Sequence, residues 1–395
     1  MDQFLTTTTN KLKSSNYSEI TIILGNESCD LDSAVTALVY AMFLSWQYDQ
    51  IKCKVCTKSH RDESTYKESI YVPVLDVERE DFSLKTEVVY CLKDHGISED
   101  SLVFRNDIDI KNLLASSTKT NIILVDHHIL SKKYDFLAPY VTEIIDHRPF
   151  DKKEWNYKED TRSLIETVGS CATLVAQRMK DLSALIEKNF DFFTTYPSCT
   201  KLLHCAIILD TVNFSKDINK GTPHDKEIVE FLESILKLED REAERKSILD
   251  RLLNARCDVS PLTASQLMRK DVKIVGDVLV PSFPIPVKEF LKKPGALQAV
   301  SEALQRCKCS IGLLLGMRLS PVHLKDVAVY GPGVSEKAAK LAKYLQDWGS
   351  PSFQLSPEDP GAGCDGCFYY HQLYSPATRK QYIPVVVEFL QSYME

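Results

Sequence analysis

Four apolar runs in this sequence close on residues able to bind metals or move protons. Asn121-Ile-Ile-Leu-Val-Asp-His-His128 delivers one carboxylate and two imidazoles together. Ile20-Thr-Ile-Ile-Leu24 leads into Gly25-Asn-Glu-Ser-Cys-Asp-Leu-Asp-Ser33, and Val141-Thr-Glu-Ile-Ile145 into Asp146-His147-Arg148-Pro149. Ala206-Ile-Ile-Leu209 ends on Asp210 and Thr211. Taken alone, any of these reads equally well as a strand that ends in polar residues. Together, Asp30, Asp32, Asp126, His147 and Asp210 place four carboxylates and one imidazole at expected carboxyl ends. So many converging carboxylates repel one another unless cations neutralise them. Oxygen-rich ligation with some imidazole, and without thiolate, suits Mn²⁺ or Mg²⁺. Two such ions about 3.5–4 Å apart, bridged by one carboxylate, lower the pKa of a bound water and shield a phosphoryl group, a device for hydrolysing phosphoesters and phosphoanhydrides.

The elements that must hold these residues read as an alternating α/β chain. The short β-branched runs are too short for stand-alone helices and read as buried strands. In an open α/β sheet, ligands sit beyond the carboxyl ends of such strands. Strands are expected at Ile20–Leu24, Tyr71–Leu75, Glu87–Leu92, in the run before Asp126, and at Val141–Ile145. Helices are expected at Met1–Lys13, at Ala34–Trp46 with Asp32 or Ser33 as N-cap, at Ile108–Ala115, and from Pro197. Gly169-Ser170 starts a further helix reaching about Lys180, and its N–H groups suit an anion or simple capping equally. Gln47 to Ile70 reads as a surface loop. Its Cys53, Cys56 and His60, like the distant Cys364 and Cys367, fall short of the four ligands of a structural zinc site and read as reduced thiols.

The charged stretch Asp240–Arg256 marks a boundary. Beyond it, strands are expected at Val272–Val280, Ser310–Met317, Asp326–Tyr330 and Phe368–Leu373. Helices alternate with them at Val287–Leu291, Gly295–Arg306, Val334–Trp348 and Pro384–Tyr393. The expected fold class is α/β. Residues 1–240 form a doubly wound, mainly parallel sheet, 241–256 a helical hinge, and 257–395 a smaller α/β domain with a mixed sheet, the active site lying in the cleft between.

Composition narrows the function. A net charge of −7 over 395 residues gives no support to a general nucleic-acid or membrane-surface role. No apolar run has the length of a membrane span, and the polar, Thr-rich start lacks the apolar core of a secretory signal. A cytoplasmic protein, also able to enter the nucleus, is expected, with its 12 cysteines reduced.

The order Asp30-x-Asp32-Ser33, Asp126-His127-His128, Asp146-His147-Arg148, then Asp210 resembles the DHH phosphoesterase superfamily. Within it, Gly25-Asn26 through Ser33 and Asp146-His147-Arg148-Pro149 are most similar to the prune and cytosolic exopolyphosphatase branch. Thr378-Arg379-Lys380-Gln381 with Pro384 resembles the Arg-Lys element of the accompanying DHHA2 domain. The resemblance covers nearly the whole chain. It implies that Asp126 bridges two metals, that Asp30 binds one, and that Asp32, His147 and Asp210 bind the other. Asn26 stands where related pyrophosphatases carry a histidine ligand, which implies a looser first metal site. Arg148 stands where they carry a second histidine; a guanidinium fork there grips phosphate oxygens. The resemblance further implies that Arg379 and Lys380 reach substrate phosphates, that Lys220 approaches the same site, that His127 serves as proton donor to the leaving phosphate, and that His128 lies near the substrate.

The expected function is therefore removal of the terminal phosphate from short inorganic polyphosphates by a hydroxide that two metals activate. Cyclic-nucleotide (cAMP) phosphodiesterase and inorganic pyrophosphatase are alternatives with the same ligands. A role of another class, a signalling scaffold binding protein partners in cell migration and proliferation, also follows from the resemblance. The intact ligand set weighs against a pure scaffold.

Overall fold

In the computed structural model, which describes residues 1–55, 69–151, 153, 155–318, 324–333, 335–359, 366–374 and 376–394, the apolar runs at the start of the chain become neighbours in one sheet. Its strands are β1 (Glu19–Leu24), β2 (Ser69–Leu75), β3 (Val103–Phe104), β4 (Lys119–Val125), β5 (Val141–Asp146) and β6 (Arg162–Ile165). They lie in the order β3-β2-β1-β4-β5-β6, and all pairs are parallel. Parallel strands need a crossover between each pair, and the crossovers cover both faces. Ile20, Ile22 and Leu24 of β1 therefore face one apolar layer while Ile23 faces the other. The order of strands reverses between β1 and β4, the position at which such sheets open a crevice.

Three expectations in this part are corrected. Glu87–Leu92 is not a strand but part of the helix Thr86–Asp94. Val88, Val89 and Tyr90 favour strands by propensity, yet the buried positions Val88, Cys91 and Leu92 follow the spacing of a helix face. The helix after the first motif runs from Leu31 to Val55 and takes in the start of the expected loop. Asp30, not Asp32 or Ser33, caps it, accepting the Ser33 N–H at 3.1 Å. The run before Asp210 is the end of the helix Pro197–Asp210, so this carboxylate is carried by a helix, not a strand. The Cys53–Cys56–His60 group and the Cys364–Cys367 pair each include residues outside the described ones.

The chain divides into two compact units, Met1–Arg256 and Cys257–Glu395. The charged helix Arg241–Cys257 buries Ile248 and Leu252 in the core of the first unit. The second unit has its own sheet: β7 (Val272–Val275), β8 (Val278–Phe283), β9 (Ile311–Arg318), β10 (Leu324–Tyr330), β11 (Leu355–Glu358) and β12 (Cys367–Gln372). The order is β11-β12-β10-β9-β8-β7, antiparallel except for the β8–β9 pair. The single strand expected over Val272–Val280 is the start of a hairpin, turned at Gly276 with φ +60°, a conformation suited to glycine. Among the described residues no helix is long and apolar enough to cross a membrane.

Candidate metal centre

The loop after β1 is shaped by close approach. A Cβ on Gly25 would meet the Ser33 hydroxyl at 2.5 Å, and that hydroxyl accepts the Asn26 N–H at 2.7 Å. Only glycine lets the loop fold back onto the start of the next helix. The turn brings Asp30 and Asp32 to the rim. Asp126 follows β4 with φ +61°, held there by its N–H to the Ile145 carbonyl at 2.9 Å. His147 follows β5. Ligand atoms of Asp32, Asp126 and His147 all lie within 4.8 Å of one another.

Each of the three is held from behind. Asp32 is buried, and its two oxygens accept the N–H groups of Cys171 at 2.6 Å and Ala172 at 2.8 Å. The anion that meets the helix start after Gly169-Ser170 is thus Asp32 itself. His147 Nδ1 donates to the Val168 carbonyl at 3.0 Å, which turns Nε2 toward Asp126 Oδ1 at 3.2 Å. A neutral imidazole so oriented presents a lone pair to a carboxylate, an arrangement that needs a shared proton or cation. The donor set, carboxylate oxygens plus one imidazole nitrogen, fits a hard divalent cation.

Electrostatics point the same way. Burial pushes the Asp126 carboxyl up to about 7, against the hydrogen bond from His147. Burial, then the charges of Asp32 and Asp30, raise Asp210 well above the usual carboxylate range. Asp32 is raised by burial as well, with Asp30 adding to it and His147 opposing. Burial opposes the charge on His147, but Asp126 and Asp32 outweigh it and lift its pKa to about 9.

Asn26 is used differently from the expected ligand. Its Oδ1 accepts the N–H of Ser28 at 2.9 Å, the Ser28 hydroxyl at 2.5 Å and the Cys29 N–H at 3.2 Å. Its amide nitrogen therefore faces Asp126 and donates to both its carboxylate and its carbonyl. An amide donating from this position orients the carboxylate.

His128 turns inward. It is buried, its Nδ1 pairs with the carboxylate of fully buried Asp146, and its carbonyl accepts the Tyr157 hydroxyl at 2.6 Å. Asp146 in turn accepts the His147 N–H at 2.8 Å, so His128 is tied to the loop that carries His147. His127 donates from Nδ1 to the Val125 carbonyl at 3.0 Å, and burial lowers its pKa. A neutral ring with its lone pair on Nε2 must take up a proton there before it can deliver one, and burial disfavours that charged form.

Among the expected substrate groups, Arg148 is half exposed with Nη2 3.8 Å from Asp126 Oδ1. Lys220 is exposed, and its charge acts on Asp210. In the second unit, Arg379 starts the helix Arg379–Met394 and pairs with Asp271 at 2.7 Å, and Lys380 beside it is exposed. Sequence reasoning missed Asp76. It follows β2 as Asp126 follows β4, the same signal of an apolar run closing on a carboxylate.

No family model matches the chain. It is 32% identical over 380 residues to the Mus musculus protein named exopolyphosphatase PRUNE1, covering 95% of this chain and 76% of that one. It is 31% identical over 385 residues to the Homo sapiens protein of the same name, covering 95% and 76%.

Proposed function

The chain belongs to the prune exopolyphosphatase family, and from that premise we propose that it is a metal-dependent phosphohydrolase that removes the terminal phosphate of short linear polyphosphates. One observation carries this reading: the convergence of Asp32, Asp126 and His147 Nε2 at the reversal point of a parallel sheet. Asp30, Asp32, Asp126, His147 and Asp210 would hold Mn²⁺ or Mg²⁺, with Asp126 as the shared ligand. Cations bound there supply an activated water and shield the charge of the phosphoryl oxygens.

The chain's own residues do the rest. The helix start at Cys171 and Ala172 fixes both oxygens of Asp32, so this ligand cannot rotate away. The Asn26 amide and His147 address different oxygens of Asp126 and set its plane. Arg148, exposed beside Asp126, binds the oxygens of the phosphate that leaves. His127 takes up a proton at Nε2. Lys220 adds a cationic contact to neighbouring phosphates.

The test is phosphate release from tri- and tetraphosphate, pyrophosphate and cAMP, side by side with Mn²⁺ and with Mg²⁺. Turnover of the linear triphosphate and tetraphosphate above the other two is expected. Turnover of cAMP alone would replace this reading with a phosphodiesterase. Arg379→Ala with Lys380→Ala is expected to lower kcat/KM on tetraphosphate by about tenfold, the scale of one charge-assisted contact, without changing metal affinity. Unchanged kinetics would remove the pair from the binding site.

A further inference from the structure

The rim of the first sheet continues on both sides of the carboxylates, and its two flanks differ. Beyond Arg148, the rings of Phe150, Trp155 and Tyr157 stand edge to face, with centroids 5.6 and 5.1 Å apart. That flank carries an aromatic cluster. On the other flank, β2 and β3 end in Asp76 and Arg105, and Lys85 caps the helix Thr86–Asp94. Arg105 grips buried Asp76 through Nε at 2.5 Å and through Nη2 to its carbonyl at 2.6 Å. The Tyr134 hydroxyl donates to the same carboxylate at 2.7 Å. The guanidinium is thus fixed from below while its side chain remains 31% exposed.

Lys85 Nζ donates to the carbonyl of Ser28, in the loop that carries Asp30. Among the described residues no carboxylate pairs with it. β2 is the parallel neighbour of β1, and the Gly25 N–H donates to the Val74 carbonyl at 3.3 Å, so the Arg105–Asp76 pair after β2 stands beside the loop that carries Asp30. Opposing charges on this flank are Glu78, Glu80 and Asp81, on the segment before Lys85, and Glu27, which is answered locally by the Ser131 hydroxyl and by Lys133 at 3.0 Å.

A linear polyphosphate carries a negative charge on every phosphate, so it follows cations that are held beside the carboxylates. We propose that Lys85 and Arg105 bind the second and later phosphates, so that the substrate runs from the carboxylates toward β2 and β3. The flexible Lys85 ammonium suits phosphates at varying positions, and the anchored Arg105 offers a fixed donor edge. This direction of binding rests on the reading of the chain as a polyphosphate hydrolase.

The experiment compares the full chain with Lys85→Ala and Arg105→Lys, using pyrophosphate, triphosphate and tetraphosphate with Mn²⁺. Arg105→Lys keeps the charge and a partner for Asp76 while losing the fork. Lys133→Ala removes one positive charge from the same flank and serves as the control. Both contacts are partly exposed, so solvent screening moderates them. KM on tetraphosphate is expected to rise about three- to tenfold in Lys85→Ala, with a smaller rise on pyrophosphate and little change in kcat. Calorimetric Mn²⁺ affinity and Tm should stay near those of the parent, and Lys133→Ala should change KM less than Lys85→Ala. If the parent cleaves tetraphosphate but Lys85→Ala raises KM equally on all three substrates, or not at all, the proposal is overturned while the hydrolase reading stands. If the parent neither binds nor cleaves any linear phosphate, both fall.

Discussion

Two buried acid clusters in the first unit differ in who answers their charge. Glu233, on the helix Pro223–Leu236, has no exposed surface. Arg245 holds it through two bonds of 2.6 and 2.7 Å, and His204 Nε2 lies 3.0 Å away. Despite burial, these partners keep its carboxyl down at about 2. Asp126 is almost as buried, but its neighbours are a neutral amide, one imidazole, a distant half-exposed Arg148, and the like charges of Asp32 and Asp30. The first cluster is closed within the chain. The second has no such answer in its neighbours and could take cations from outside, the role proposed for it.

The sharpest way to break this contrast is Asp126→Asn. Loss of the shared ligand should lower hydrolysis by about a thousandfold or more, while the metal-free protein unfolds at the parent's temperature or above it, since one like charge is gone. Mn²⁺ should raise Tm in the parent by mass action and do so weakly in the variant. Full activity in a folded variant would sink the two-metal reading. Glu233→Gln should do the reverse. Leaving Arg245 without its carboxylate is expected to cost about 3–5 kcal/mol in denaturant unfolding, with Mn²⁺ affinity unchanged. A loss of metal affinity equal to that of Asp126→Asn would mean the two clusters are not separate.

Acid unfolding sharpens the contrast further. A carboxyl held at about 2, against an ordinary 4.5, contributes stability that is present above 4.5 and is lost as pH falls through 2. Urea midpoints measured over that window should fall less steeply in Glu233→Gln than in the parent. Equal slopes would remove Glu233 as a source of acid sensitivity. The smallest effect is expected from Asn26→Leu, which keeps the volume and removes the donor to Asp126. Metal affinity should weaken by about tenfold, the scale of a group that orients a ligand. Complete loss of one of two bound ions would instead mark Asn26 as a ligand.

The sequence was most legible where chemistry and periodicity coincide. The runs before Gly25, Asp126 and Asp146 are β-branched, short and buried, and all three form adjacent parallel strands. Legibility failed where burial, not residue type, decides the element. Val88, Cys91 and Leu92 make a helix face although Val88, Val89 and Tyr90 favour strands. Ala206–Leu209 looks like the other apolar runs but continues a helix that starts with Pro197. Orientation was less legible still. Nothing in the letters of Gly25-Asn26-Glu27-Ser28 fixes which end of an amide faces Asp126; the N–H groups of Ser28 and Cys29 decide it. His128 appears beside Asp126 in sequence yet turns inward, because Asp146 is buried and needs a partner.

The pairing of β1 with β4 has a consequence for biosynthesis. Glu19 lies beside Lys119 and Leu24 beside Leu124, so each residue of β1 meets a neighbour made 100 residues later. At about 5–20 residues per second of synthesis, the edge of Ile20-Thr-Ile-Ile-Leu24 that will face β4 stays unpaired for about 5–20 seconds after its emergence. Its other edge is covered sooner, by β2, 50 residues on. During that interval the nascent chain presents an apolar, β-branched edge, the kind of surface that invites pairing with a second chain. The same connectivity that assembles the carboxylates from distant segments thus makes the ribosome-bound chain dependent on protection from its neighbours.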